Sequence, residues 1–288
     1  MTEDNDLFKY ELAIVAIFKN EAPYLKEWID YHLLAGVDHF YLYDNESDDN
    51  FKEVLSPYIE KNLVDYNFYP GKCAQMATYN EAVKNYKFNC QYMAFIDLDE
   101  FILPKNNKSI KEVIKEILFD KDRAGGLAIN WHLFGSSGHE KADFHKSVLE
   151  RFIYRTPDNF DVDKNLGNAH IKTIANPRLI KFVRNPHFIN YFESHFTINE
   201  IDEIVQLHFT NSHNSNKIVI NHYHNKSKEE YEKKIKRGNA DLPNNNYKMD
   251  TFYNIENSST VYDDEIIKYV MTIKNDNPRG GGGKYSTK

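Results

Sequence analysis

The sequence contains few cysteines, no long apolar segment and no excess of basic residues. Two cysteines, Cys73 and Cys90, are too few for a disulfide framework, and neither belongs to a metal-binding CxxC pair. No segment reaches the roughly 18 apolar residues of a membrane helix, and the acidic start does not look like a signal peptide. A formal net charge of -7 argues against a nucleic-acid partner, because nucleic-acid-binding proteins usually carry a basic face. We therefore expect a cytoplasmic protein with no transmembrane segment, for which peripheral association with a membrane stays open.

The first half of the chain alternates between strand and helix patterns. The apolar run at 11–18 is typical of a parallel strand buried on both faces, and Leu25, Trp28 and Ile29 follow it at helical spacing. Further strands are predicted at 38–43, 63–69, 92–96 and 126–131. This alternation predicts an α/β fold with a doubly wound, mostly parallel sheet, whose ligands bind at the carboxyl ends of the strands.

The second half of the chain has a weaker pattern. Past Trp131 the periodicity fades, and we expect long loops and irregular strands at 132–225, followed by a helix near 228–237. The final segment, 275–288, contains four consecutive glycines and is predicted to be a flexible tail. The whole of 1–274 is predicted to form one domain.

Three carboxylates follow the predicted strand 92–96. Asp97 and Asp99 are two residues apart, so in an extended segment their side chains point to the same side. Such a pair suits a Mg²⁺ or Mn²⁺ ion that also binds the phosphates of a substrate. The alternative is a solvated acidic turn after a strand, and the position at the end of a buried strand favours neither reading.

Polar residues also follow the first two predicted strands. Asn20 and Glu21 come after the first strand, and Asp44 and Asn45 end the second. An acidic residue at such a position can accept hydrogen bonds from a base or a ribose. Helix capping and turn formation explain the same residues, and both interpretations stay open.

The second half offers a loop, a histidine pair and a basic segment. His139 and Glu140 follow a glycine-serine loop and could transfer a proton, although a plain loop explains them equally well. His222 and His224 would share one side of a strand and could bind a metal ion. The sequence has no HExxH motif and no matching Cys/His set, so we do not expect a structural zinc site. The basic residues at 226–237 fit either a solvated helix face or a diphosphate clamp.

The order of these motifs, more than any one of them, resembles glycosyltransferase family 92 and the related bacterial proteins grouped with family 2. The resemblance covers roughly residues 11–240. It is carried by Phe18-Lys19-Asn20-Glu21, Trp28, His32, Tyr43-Asp44-Asn45, Gln75, Asn80-Glu81-Ala82, Phe95-Ile96-Asp97-Leu98-Asp99-Glu100-Phe101, Asn130-Trp131, Phe134-Gly135-Ser136-Ser137-Gly138-His139, His170-Ile171-Lys172, Asn221-His222-Tyr223, Lys226-Ser227 and Lys236-Arg237-Gly238.

The resemblance implies a GT-A fold and an inverting transfer of a sugar from a nucleotide diphosphate donor, usually a UDP-sugar. In that reading 11–131 is the half that binds the nucleotide sugar and 132–274 is the acceptor side. The acceptor would be a glycan, a surface polysaccharide or a lipid-linked saccharide. The binding residues that the resemblance implies are Asn20, Glu21, Asp44, Asn45, Asp97 and Lys226 for the nucleotide sugar, and Asp97, Asp99 and His222 for Mn²⁺ or Mg²⁺.

The catalytic and acceptor-side residues implied by the resemblance are fewer. Glu140, with His139 beside it, occupies about the position of the motif that bears the catalytic base, and Trp131 and Phe134 suit stacking against a sugar ring. Two other functions use the same residues: a metal-dependent hydrolase of nucleotide sugars, and a non-catalytic carbohydrate-binding protein. A hydrolase would cleave the donor rapidly without acceptor, and a binding protein would need neither nucleotide nor metal.

Overall fold

One large sheet organises the computed structural model, which describes residues 7–164, 166–241 and 248–276. The described strands are β1 Tyr10–Phe18, β2 His39–Asp44, β3 Val64–Phe68, β4 Cys90–Phe95, β5 Glu100–Pro104, β6 Ala124–Leu133, β7 Tyr154–Arg155, β8 Ile171–Ala175, β9 Ile180–Phe182, β10 Asn190–Tyr191, β11 Phe196–Ile198, β12 Ile204–Val205, β13 Ile218–His222 and β14 Val261–Tyr262. The described α-helices are α1 Ala22–Leu34, α2 Phe51–Glu60, α3 Gln75–Tyr86, α4 Ile110–Leu118, α5 Val148–Arg151, α6 Lys228–Arg237, α7 Met249–Ser258 and α8 Glu265–Asp276.

The sheet is mostly parallel, which confirms the predicted α/β class. Its strands follow the order β12-β11-β6-β8-β4-β1-β2-β3, and β13 pairs with β6 and β5. Strands β3, β2, β1 and β4 run in one direction, and β8 is antiparallel to both β4 and β6. Strand β13 is parallel to β6. The carboxyl ends of β1, β2, β4, β6 and β13 therefore meet at one edge, together with the amino end of β8.

Strand β1 lies at the centre of two hydrophobic clusters, one on each face of the sheet. Leu12 and Ile14 belong to the cluster that contains α1 and α4, whereas Ala13 and Val15 belong to the cluster that contains α3. This alternation follows from the two-residue period of a strand. Burying a leucine, isoleucine or valine side chain stabilises the fold by about 1.5–3 kcal/mol. Because helices cover both faces of the sheet, side chains on both sides of β1 are buried, and this explains the unbroken apolar run.

The second half adds strands to the same sheet. Strand β8 lies between β4 and β6 in the sheet, and β13 pairs with the last three residues of β6. Both β8 and β13 belong to the region predicted as loops and irregular strands. Helix α6 starts at a capping box, in which Ser227 accepts a hydrogen bond from the Glu230 backbone N–H and Glu230 bonds back to Ser227. It coincides with the helix predicted near 228–237.

The ends of the chain and its helices bear on two of the predictions. Of the predicted tail 275–288, the first two residues end α8, and the rest lies outside the described residues. Within the described ranges, each helix is too short or too polar to cross a bilayer.

Candidate functional site

A cavity of about 980 Å³ opens at the edge of the sheet where the parallel strands end. Its walls come from the segments after β1, β2 and β4, from the end of β13 and from the last turns of α6. Among its lining residues are Glu21, Asn45, Gln75, Asp97, Asp99, Trp131, His187, His222, His224, Lys234, Arg237 and Asp241. The cavity thus gathers side chains from positions far apart in the sequence.

Asp97 lines this cavity and accepts hydrogen bonds from Gln75 and Lys172, with a longer one from the Tyr79 hydroxyl at 3.5 Å. The side-chain amide of Gln75 donates to its Oδ1 at 2.7 Å, and the Lys172 ammonium donates to its Oδ2 at 2.8 Å. Burial lowers the pKa of Lys172, but the charges of Asp97 and Glu100 outweigh it and raise that pKa above the ordinary value. Lys172 is therefore a buried permanent cation next to Asp97.

Asp99 lies between a lysine and a histidine. Its Oδ2 accepts a hydrogen bond from the Lys234 ammonium at 2.9 Å, and its Oδ1 lies 3.4 Å from Nε2 of His222. Burial raises the pKa of Asp99, yet Lys234 and His222 outweigh that effect and hold the pKa well below its usual range. Asp99 is therefore a largely enclosed carboxylate, 14% exposed, that stays ionised.

Glu100 fixes the turn that carries both aspartates. This fully buried carboxylate accepts a hydrogen bond from the Asp97 backbone N–H at 2.9 Å and lies 3.6 Å from the Lys172 ammonium. The backbone carbonyl of Asp99 accepts a further hydrogen bond from the Tyr223 N–H at 2.8 Å. Burial raises the pKa of Glu100 well above its usual value. The acidic segment is thus a turn fixed by hydrogen bonds, in which the Asp97 side chain stays 35% exposed.

His222 is the last residue of β13 and lines the cavity beside Trp131. The two rings meet edge to face, with 4.4 Å between their centroids. Burial lowers the pKa of His222, so that its imidazole is neutral near pH 7, the form in which histidine binds metal ions. Trp131 also lines the cavity, and its indole N–H has no hydrogen-bond acceptor among the described residues.

The donors around Asp99 suit a divalent ion better than those around Asp97. A carboxylate oxygen and a neutral imidazole nitrogen 3.4 Å apart can bind one Mn²⁺ or Mg²⁺ ion, with positions left for water and phosphate oxygens. Both oxygens of Asp97 already accept hydrogen bonds from Gln75 and Lys172. In the described ranges, the ligand atoms of Asp97, Asp99 and His222 do not all three lie within 4.8 Å of one another, although those of Asp99 and His222 do. The predicted three-residue metal set therefore stays a prediction, with Asp99 and His222 as its best-placed pair.

The residues predicted to contact the nucleoside divide into two groups. Glu21 and Asn45 line the cavity, and Asn45 donates hydrogen bonds to the backbone carbonyls of Tyr69 and Gly71 at 2.9 and 2.8 Å. Asp44 and Asn20 are absent from the lining among the described residues. Asp44 accepts hydrogen bonds from the Ser47 N–H and the Tyr66 hydroxyl, and Asn20 accepts one from the Asp48 N–H. The turn interpretation thus accounts for the contacts of Asp44 and Asn20.

Lys226 lies next to the cavity wall, against Glu21. Its ammonium is 3.6 Å from Oε2 of Glu21 and 3.5 Å from the centre of the Tyr24 ring. Arg237 bonds the other oxygen of Glu21 and donates to the backbone carbonyl of Lys19 at 2.9 Å. Glu21 thereby joins the last turn of α6 to the start of α1.

The predicted catalytic and acceptor residues on the glycine-serine loop lie away from the cavity. Glu140 is exposed and pairs with Lys228 at 3.4 Å, and His139 packs edge to face on Phe152. Phe134 is fully buried, with its ring 4.7 Å from that of Tyr223. Within the described residues, none of these three predicted residues lines the cavity. Their roles in catalysis and acceptor binding stay predictions.

The site contains two lysines and a glutamine that the sequence interpretation did not single out. Lys172 and Gln75 appeared only as parts of motifs, and Lys234 only as one member of a basic segment. The signal for Lys172 was a lysine inside a short apolar run, Ile171-Lys172-Thr173-Ile174. A charge in such a run is stable only next to an opposite charge, which here is Asp97. Lys234 gave no comparable signal, because it stands among other lysines.

Comparisons with known proteins agree with the resemblance noted in the sequence. The family model described as "Glycosyltransferase family 92" matches residues 13–260. A glycosyltransferase family 92 protein of Oryza sativa subsp. japonica is 28% identical over 216 residues, which cover 74% of this chain and 33% of the relative. One of Ricinus communis is 38% identical over 142 residues, which cover 45% of this chain and 24% of the relative. The chain thus spans about a third or less of the length of these curated relatives.

Solved structures with a similar arrangement are more distant. S. aureus TarS 1–349 in complex with UDP is 14% identical, with a TM-score of 0.38, covering 59% of this chain and 47% of that one. Glucosyl-3-phosphoglycerate synthase from Mycobacterium tuberculosis, in complex with phosphoglyceric acid, is 13% identical, with a TM-score of 0.35, covering 59% and 58%.

Proposed function

Because the chain belongs to glycosyltransferase family 92, we propose that it transfers a sugar from a nucleotide diphosphate donor, a UDP-sugar, to a saccharide hydroxyl with inversion at the anomeric carbon. The observation that carries this proposal is the cavity in which Asp99, His222 and Lys234 meet at the carboxyl edge of the sheet, with Lys172 behind Asp97. A glycan, a lipid-linked saccharide or a surface polysaccharide as acceptor, and a cytoplasmic location, are further parts of the proposal.

The leaving group of this reaction is a nucleoside diphosphate, which needs positive charge around it. Lys234 and Arg237, on the last turns of α6, line the cavity, and Lys172 lies behind Asp97. Fixed cations in a partly buried cavity stabilise the negative charge that develops on the departing phosphate. Asp99 and His222 would hold Mn²⁺ or Mg²⁺, which when bound supplies Lewis acidity to the diphosphate.

The acceptor hydroxyl needs a base as its oxygen attacks the anomeric carbon. The bond to the diphosphate breaks as the new glycosidic bond forms, and the base takes the acceptor proton. Asp241 lines the cavity, and burial raises the pKa of its carboxyl, with a lowering effect of Lys172 that does not cancel it. A carboxylate of raised pKa is a better proton acceptor. We therefore place the base at Asp241, whereas the sequence resemblance places it at Glu140.

The test is the release of UDP from a panel of UDP-sugars in the presence of Mn²⁺, measured with and without saccharide acceptors. A transferase releases UDP rapidly only with an acceptor and forms a product heavier by one sugar. Equal release without acceptor would instead identify a hydrolase. Binding of saccharides with no UDP release from any donor would identify a carbohydrate-binding protein.

A further inference from the structure

A second group of ligand-type side chains lies on the other face of β6. His132, Asp158 and His213 place one ligand atom each within 4.8 Å of one another. His132 follows Trp131, which lines the cavity, and neighbouring residues of a strand point to opposite faces. The sheet therefore separates this group from the cavity described above, in which we propose that the sugar donor binds (the donor cavity).

His132 is buried in this group without a hydrogen bond. Its side chain is 3% exposed, and neither ring nitrogen forms a hydrogen bond with any described residue. Nε2 nevertheless lies 3.3 Å from Oδ1 of Asp158, and Nδ1 lies 3.9 Å from Oδ2 of Asp263. An imidazole nitrogen and a carboxylate oxygen in contact, without a hydrogen bond, fit two ligands of one ion.

His213 stacks on His132, with 5.0 Å between the ring centroids, and one of its nitrogens is engaged by the backbone. Its Nε2 lies 3.0 Å from the backbone carbonyl of Trp131. A carbonyl only accepts, so Nε2 carries the proton and Nδ1 keeps its lone pair. Metal-ligating histidines usually donate their other N–H to a carbonyl or a carboxylate in this way.

The charges around the group favour a cation. Asp158 and Asp263 both accept hydrogen bonds from Arg155, at 2.7 and 2.6 Å. Two carboxylates and one guanidinium leave a net negative charge next to the two histidines, and the farther charges of Lys105 and Glu200 have opposite signs. The Asp158 carboxylate lies on the solvent side of the group. Its side chain is 59% exposed, which gives an ion and a water molecule access from solvent.

We propose that His132, Asp158 and His213 bind a Zn²⁺ ion, with water as the fourth ligand. Two imidazoles and a carboxylate are ligands typical of zinc. Zinc bonds of about 2.1 Å place tetrahedral ligands about 3.4 Å apart, close to the observed 3.3 Å between His132 Nε2 and Asp158 Oδ1. The ion ties the segments that contain Asp158 and His213 to β6. With water as its fourth ligand this site is open, unlike the closed structural zinc sites that the sequence does not lead us to expect.

The first test is the metal content of the full chain, purified without chelator and dialysed extensively. Elemental analysis is expected to find about one zinc per chain, retained in Asp99→Asn, because the donor cavity is a separate site. His213→Ala is expected to lose the zinc, whereas the matched control His145→Ala, at an exposed histidine, keeps it. Asp263→Asn, which removes a partner of His132, is expected to bind zinc about 10–100-fold more weakly in competition with a chelating dye.

A second measurement needs no variant and guards against misfolding of His213→Ala. Replacing zinc by Co²⁺ in the native protein is expected to produce the intense visible absorption of a four-coordinate cobalt ion, and Asp158→Asn is expected to abolish it. Two results would overturn the proposal. One is native protein that neither contains zinc nor gives the cobalt spectrum, and the other is a zinc content unchanged in both His213→Ala and Asp158→Asn.

Discussion

The two aspartates of the acidic turn have different partners, and the difference assigns them different tasks. Asp97 is saturated by Gln75 and by a buried lysine, whereas Asp99 shares its two oxygens between His222 and Lys234. Lys234 extends from a helix surface and its side chain is 12% exposed, so it can leave Asp99 more easily than Lys172 can leave Asp97. We therefore expect an incoming divalent ion to displace Lys234, whose ammonium then turns to the diphosphate.

This exchange predicts opposite effects of Lys234→Met on two measurements. Removal of the ammonium frees one oxygen of Asp99, so Mn²⁺ binding in the absence of nucleotide should tighten several-fold, as measured by electron paramagnetic resonance. Sugar transfer should fall by about 10²–10³-fold, because a cation that stabilises the leaving group is lost. Lys233→Met, at an exposed neighbour on the same helix, serves as the control and should change neither value. Weaker Mn²⁺ binding in Lys234→Met would contradict the exchange.

The residue that takes the acceptor proton can be identified by substituting each of two candidate carboxylates, Asp241 and Glu140. Asp241→Asn should lower the rate of transfer by about 10²–10⁴-fold with little change in UDP affinity, because a general base acts only in the chemical step. Glu140→Gln, at an exposed residue paired with Lys228, should stay close to the wild-type rate. The measurement is the pre-steady-state rate of transfer with saturating donor. The reverse pattern would return the base to Glu140, as the sequence resemblance implies.

At the scale of elements, helix α6 carries two cations of the site, Lys234 and Arg237, and depends on one buried ion pair for its position. Glu230 accepts two hydrogen bonds from Arg151, at 2.8 and 3.1 Å, and one from the Tyr24 hydroxyl at 2.7 Å. Both side chains of the pair are almost fully buried, 1% and 3% exposed. The same Glu230 closes the capping box of α6 with Ser227. One carboxylate thus couples the start of this helix to α1 and α5.

The buried pair predicts a large loss of stability in Arg151→Met. The substitution leaves an unpaired buried carboxylate, which typically costs about 3–5 kcal/mol of the free energy of unfolding. Arg184→Met, at an exposed arginine, should change that free energy by less than about 0.5 kcal/mol. Urea unfolding at pH 7 measures both values. A cost for Arg151→Met as small as that of the control would contradict the structural role of the pair.

The same pair predicts a dependence of stability on acid pH. Burial raises the pKa of Glu230, but hydrogen bonds from Arg151, Ser227 and Tyr24 outweigh it and lower the pKa to about 2. Because the pKa is lower in the folded state, the stabilising contribution is complete above the unfolded value near 4.5 and is lost as the pH falls towards 2. We expect Arg151→Met to lose less stability than the wild type between pH 4.5 and 2. Parallel stability curves for the two proteins over this interval would contradict the assignment.

At the scale of the whole molecule, the sequence predicts the parallel part of the sheet better than its antiparallel part. Long apolar runs mark β1 and β6, and helix patterns between the predicted strands separate β1 to β4. Strand β8 is short, contains a lysine and a threonine, and runs against its neighbours, so no period or flanking helix reveals it. The sequence therefore indicates where Asp97, Asp99 and His222 lie along the chain, but not that Lys172 stands behind Asp97.

The contacts between distant segments explain what else the sequence did not reveal. His132, Asp158 and His213 come together only because the segments after β7 and before β13 fold back on β6. Glu140 is close to the site along the chain, next to the end of β6, yet its side chain points to solvent and to Lys228. Spacing along one chain predicts neighbours within a helix or strand, whereas these contacts depend on how loops cross a sheet edge.

The central claim is that the cavity binds a nucleoside diphosphate together with a divalent ion at Asp99 and His222. Its most direct test is thermal unfolding of the full chain with Mn²⁺, with UDP and with both, against GDP as the nucleotide control. Ligand at 100 times its dissociation constant should add about 2.7 kcal/mol of stability and raise the unfolding temperature by about 5 °C. We predict this rise with UDP and Mn²⁺ together, no comparable rise with GDP, its loss in Asp99→Asn, and its retention in Asp122→Asn at an exposed aspartate. An unchanged unfolding temperature with UDP and Mn²⁺ together, or an equal rise in Asp99→Asn, would contradict the claim.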